Sequence, residues 1–87
     1  MFIMGLNTWK GDMPKKALIF RSLQFADSVK EQGIAELQEA FLAHDEKQLW
    51  CTWKTENLEA LQAAFDEMNK QTGLVSQLLV AEKYYPK

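Results

Sequence analysis

The sequence predicts an α+β fold of order β-α-β-β-α-β, a four-stranded antiparallel sheet with two helices on one face. Three observations predict it. Two segments, beginning near Lys15 and Leu58, repeat apolar residues at helical spacing. Three short runs, Phe2–Trp9, Gln48–Thr55 and Val75–Tyr85, have the length and composition of strands. Breakers stand between them: Gly11 with Asp12 and Pro14, then Gly33, Gly73 and Pro86.

Phe2–Trp9 places Phe2, Met4 and Leu6 on one face and Ile3, Gly5, Asn7 and Trp9 on the other. Both faces are largely apolar, so both are expected to be covered. Pro14 suits the first turn of a helix, with Asp12 as its cap. From Lys15 to Lys30, steps of 100° gather Leu18, Ile19, Leu23, Phe25, Ala26 and Val29 on one arc. Arg21, Gln24 and Asp27 fall opposite, and Gln32-Gly33 ends the helix.

Ile34–His44 supports two readings. As a helix, Ile34, Leu37, Ala40 and Phe41 share a face, and local propensity favours it. As a strand, Ala35, Leu37, Phe41 and Ala43 share a face, with Glu39 intruding. Context favours the strand, because the next segment needs an antiparallel partner and His44-Asp45-Glu46-Lys47 has the length and polarity of a hairpin turn.

Gln48–Thr55 turns Leu49, Cys51 and Trp53 one way and Trp50, Thr52 and Lys54 the other. Thr55 or Asn57 then caps a second helix. Along it Leu58, Leu61, Phe65 and Met68 recur on one face, opposite Glu59, Asp66 and Lys70, before Gly73 stops it. In the last run Leu78 and Val80 face one side, Leu79 and Ala81 the other.

The order is the split β-α-β, or ferredoxin-like, arrangement in a single domain over residues 1–87. A chain this size buries only about 60–65% of its unfolded surface, so its core is modest. Two helices cover one face of such a sheet, yet the strands are apolar on both. A second copy of the chain is the simplest cover, and a homodimer through the open face is expected.

Bulk properties exclude several classes. Net charge is −2, and Lys15-Lys16 is the one adjacent basic pair, so neither nucleic acid nor an anionic membrane is an expected partner. No apolar stretch approaches the ~20 residues of a membrane span. One cysteine, Cys51, allows no intrachain disulfide, and the first ten residues lack a signal-peptide layout, so the expected compartment is the cytoplasm. There is no phosphate loop, no GxSxG and no zinc spacing, and no metal is expected.

The candidate pocket residues are Asn7, Trp9, His44, Trp50 and Trp53. A flat aromatic ligand would stack on tryptophan while Asn7 supplied a hydrogen bond. The competing role for the tryptophans is core and dimer packing. His44, the single histidine, is one candidate acid–base group or a solvated residue beside Asp45. Cys51 would need a lowered pKa to act as a nucleophile, and flanking tryptophans point to burial instead. Glu36 and Glu39 on a strand point to opposite faces, which separates them for paired acid–base work.

The opening MFIMGLNTWK, the stretch HDEKQLWCTWKTENLEAL and the closing LLVAEKYYP resemble small one-domain members of the dimeric α/β-barrel superfamily, as a layout spanning nearly the whole chain. That superfamily includes cofactor-free monooxygenases acting on aromatic polyketides, and haem-degrading enzymes. The resemblance implies a ferredoxin-like homodimer holding a small apolar or aromatic ligand between sheet and helices. It also implies an alternative, a cofactor-free monooxygenase- or isomerase-like enzyme, beside a third possibility, a purely structural or interaction module. Asn7 sits where a haem-degrading member carries Asn, and Trp53–Thr55 is similar to the family's strand-to-helix junction. Haem-degrading members place a histidine on the second helix, whereas Phe65–Lys70 contains none, so no cofactor is expected.

Overall fold

The chain's central strand, β1 (Phe2–Thr8), is apolar on both faces, and it pairs on both edges in a computed structural model that describes residues 1–43, 45 and 47–86. The remaining elements are α1 (Lys15–Glu31), β2 (Glu36–Leu42), β3 (Gln48–Lys54), α2 (Leu58–Thr72) and β4 (Val75–Ala81). The sheet order is β2-β3-β1-β4 with every neighbouring pair antiparallel, the ferredoxin-like topology expected from the sequence. Val75–Ala81 is shorter than the run to Tyr85, because the chain leaves the sheet before Glu82.

Asn57 begins α2 by accepting the Ala60 N–H on Oδ1 at 3.0 Å, and Gly73 ends it in the left-handed region at φ 75°. Thr55 ties this junction to the rest of the chain. Its hydroxyl donates to the Ile34 carbonyl at 2.6 Å and accepts the Asn57 N–H at 3.0 Å. The start of α1 differs from expectation. Pro14 occupies the cap position and no side chain caps the helix. Asp12 instead lies 3.5 Å from the Lys47 ammonium, which ties the β1–α1 loop to the β2–β3 hairpin.

Glu36–Leu42 is a strand, and its backbone groups pair with β3 rather than with each other. The pairing carries an irregularity that alternation does not show. Leu37 opposes Trp53 and Glu39 opposes Thr52, so Gln38 is an extra residue, a β-bulge. Beyond it every side chain changes face. Leu37, Ala40 and Leu42 therefore turn toward the helices, while Phe41 turns to the open face and is 57% exposed. The expected grouping of Phe41 with Leu37 is corrected by this one-residue shift. So is the separation of Glu36 and Glu39, which share the open face opposite Lys54 and Thr52.

The helices cover the sheet face that carries Ile3, and the largest fully buried side chains meet there: Ile3 from β1, Val29 from α1, and Leu61 and Phe65 from α2. The buried arc of α1 is narrower than expected: Leu18, Ala26 and Val29 are buried, but Ile19 and Leu23 are 41% and 53% exposed. The helix rests over β2, an edge strand, and no further strand extends beneath its outer flank. Among the described residues no helix is long and apolar enough to cross a membrane.

Candidate functional site

Beneath the two helices, above the middle of the sheet, lies a cavity of about 40 Å³. Its floor is laid by β1, β3 and β2 through Asn7, Leu49, Cys51, Trp53, Leu37 and Ala40. Alternation on β3 sends Leu49, Cys51 and Trp53 to one face, and the bulge brings Leu37 and Ala40 alongside them. The roof comes from Leu18 and Phe25 on α1 and from Phe65 and Met68 on α2. Phe25, Trp53 and Phe65 form one aromatic cluster. Phe25 and Phe65 approach at 4.7 Å between ring centres, and each meets the Trp53 ring at under 6 Å, 5.8 and 5.6 Å, edge to face or nearly so.

A row of polar groups crosses the sheet under this apolar space. Ser76 on β4 donates its hydroxyl to Asn7 Oδ1, with Asn69 Oδ1 of α2 at 3.3 Å. Asn7 Nδ2 donates to the Leu49 carbonyl at 3.2 Å and to Cys51 Sγ at 3.5 Å. Trp53 donates its indole N–H to the same sulfur at 3.0 Å, and the thiol reaches the Gly5 carbonyl at 3.7 Å. Both amide protons of Asn7 are thus spent within the protein. Burial pushes the Cys51 thiol up from its ordinary pKa, against the opposing pull of hydrogen bonds with Trp53, Asn7 and Gly5. It is a protonated, enclosed thiol, the opposite of an activated nucleophile.

Gly5 makes room for that sulfur. A Cβ at Gly5 would stand 2.8 Å from Cys51 Sγ and 3.3 Å from Leu78, closer than packed atoms tolerate.

Asn7 and Trp53 therefore meet in the cavity wall. Trp9 is buried in an adjoining cluster with Leu18 and Leu49, which are themselves cavity residues, and its indole N–H has no partner among the described residues. Trp50 lies on the opposite face of the sheet, so it cannot share an enclosure with Asn7. His44 lies outside the described residues. Sequence reasoning missed the helical contributors, above all Phe25, Phe65, Met68 and Arg21. Phe25 and Phe65 carried a usable signal, being large rings on the inward arcs of the two helices.

The cavity has a neighbour. Where α1 and α2 diverge, a surface groove of about 710 Å³ runs between them. Arg21, Phe25, Met68 and Thr72 line both spaces and form the partition between them.

No family model matches the chain, and no curated protein matches it. Among solved structures the chain is similar to the crystal structure of the protein Atu4242 from Agrobacterium tumefaciens, a structural-genomics target. The TM-score is 0.56 at 9% identity, covering 99% of this chain and 98% of that one. At this identity the likeness is one of fold, and it extends over the whole of both chains.

Proposed function

We infer that the chain is a small-molecule binding protein that encloses an apolar or aromatic ligand between sheet and helices, and that it works as a homodimer joined through the open sheet face. The observation that carries the ligand reading is the cavity whose floor polar groups, Asn7 and Cys51, are already satisfied within the sheet. Such a space offers apolar walls and aromatic edges but asks no polar group of its guest. At about 40 Å³ it is smaller than the ~150 Å³ of an engineered cavity that accepts benzene, so an aromatic ring enters only as the Phe25–Met68 partition moves aside. The two helices touch each other sparingly, which supports that movement.

The enzyme alternative, cofactor-free oxygenation or isomerisation, needs a polar group free to handle substrate. Asn7 has no unspent N–H, and Cys51 is held protonated. Among the described residues these observations favour binding over catalysis; His44, the other group the enzyme reading calls on, lies outside them.

The dimer reading rests on the pattern of the open face. Phe41, Trp50 and Leu6 form one cross-strand row, Met4 and Leu79 the next, and Phe2 and Ala81 the third. The result is an apolar diagonal with charged Glu36, Glu39 and Lys54 at one flank and neutral Gln48, Thr8 and Gln77 at the other. A two-fold axis along the diagonal stacks apolar on apolar and sets each charged flank against the partner's neutral one.

Titration with flat aromatic compounds, followed by tryptophan fluorescence, tests the ligand reading. Quenching is expected in the native protein and in Trp50→Phe, and is expected to be lost in Trp53→Phe. Quenching that survives Trp53→Phe would place the ligand elsewhere.

A further inference from the structure

The groove and the cavity together describe an asymmetric space, and its charge is as informative as its shape. Below the partition the walls are apolar: Leu18, Leu37, Leu49, Phe25 and Phe65. Above it the lip is polar, with Gln24, Ser28, Gln32 and Gln71 among its residues. Two charged groups stand on that lip. Glu67 lies on the α2 side, 3.8 Å from the exposed Lys70 ammonium. Arg21 borders both spaces and makes no ion pair or hydrogen bond with any described residue. An unopposed guanidinium beside neutral amides, directly above an apolar chamber, matches a molecule with one anionic end and one apolar end.

We propose that the ligand is an amphipathic monocarboxylate, its apolar end seated in the cavity beside Trp53 and its carboxylate paired with Arg21 at the mouth of the groove. This deepens the ligand reading above and rests on it. Arg21 is the group that selects the carboxylate, and its planar fork can take both oxygens at once. Gln24 and Gln71 flank the pair as neutral donors that any orientation of the head can use. The chamber's small volume favours a narrow chain over a bulky ring system at the buried end. Arg21 is exposed, so Arg21→Gln, which keeps the length and polarity of the side chain, is expected to change recognition while sparing the fold.

The probes are octanoate and 1-octanol, equal in chain length and different in head group, titrated calorimetrically near pH 7.5 in low salt. Octanoate is expected to bind on the order of tenfold more tightly than 1-octanol, the scale of one hydrogen-bonded charge pair. Arg21→Gln is expected to bring octanoate down to the level at which the same variant binds 1-octanol. The octanoate preference is also expected to shrink as salt is raised. Equal binding of the two by the native protein, or a preference that survives Arg21→Gln, would overturn the carboxylate assignment while leaving the apolar cavity as a binding site. Failure of both probes to bind would overturn the cavity reading itself.

Discussion

Trp53 gives its indole N–H to the sulfur of Cys51, its second neighbour along β3, at 3.0 Å. The two side chains lie on the same face because the strand repeats every second residue. The tryptophan at the floor of the cavity is therefore oriented by a thiol that is itself held by Asn7.

Removing that sulfur should be costly. Cys51→Ala leaves the Trp53 N–H and one Asn7 N–H buried without acceptors. A loss of about 1–3 kcal/mol in unfolding free energy is expected, read from the shift of the urea midpoint. An unchanged midpoint would mean that these contacts orient the ring without stabilising the fold.

The same thiol fixes a pH dependence. Its pKa is raised in the folded chain, chiefly by burial, so folding favours the protonated form. Below the ordinary thiol pKa both states hold the proton, and the contribution is present in full. As pH rises past that value toward the folded one, the unfolded chain ionises first and the stability contribution is lost. Thiol labelling by iodoacetamide should accordingly be slow in native protein even at pH 9 and fast in urea, and fast native labelling would contradict the enclosure.

Gly5 should resist replacement. In Gly5→Ala the new methyl group meets Cys51 Sγ, and the sulfur is pinned on several sides. The expected cost is about 1–3 kcal/mol, and it should fall in a Cys51→Ala background, where the opposing atom is gone. Additive effects in that double variant would place the strain elsewhere.

The open face gives the fourth test. Leu79 is 55% exposed and sits at the β4 end of the apolar diagonal, so Leu79→Lys leaves the protomer's own core intact. Sedimentation equilibrium at micromolar concentration is expected to show the native chain at twice its 10.1 kDa mass and Leu79→Lys at that mass alone. A native monomer would remove the dimer.

Much of this fold is written locally. Leu61 and Phe65 announce α2 by spacing, Asn57 and Gly73 mark its ends, and the alternation of Leu49, Cys51 and Trp53 fixes the inward face of β3. What escaped is non-local. Ile34–Ala43 has helical propensity, and only pairing with β3 makes it a strand. The bulge at Gln38 depends on how two strands settle against each other, so the faces of Phe41 and Glu39 could not be read by counting. Arg21 fell on the polar side of α1 by the helical count, and its position on the groove depends on where α2 lies. Asn7 was legible as a polar residue on an inward face, but its partner Ser76 was not, since nothing local sets the β1–β4 alignment.

That last pair has a consequence for how the sheet finds its alignment. A slip of β4 by one residue would turn Leu78 outward, and the apolar pattern alone forbids it. A slip by two residues keeps every face correct, and burial barely distinguishes it from the native pairing. What distinguishes it is Asn7, which would then face Leu78 or Leu74 in place of Ser76 and lose the hydroxyl that satisfies its oxygen. The row Ser76–Asn7–Cys51 thus works as a positional key across three strands, penalising the even-numbered misalignments that hydrophobicity tolerates.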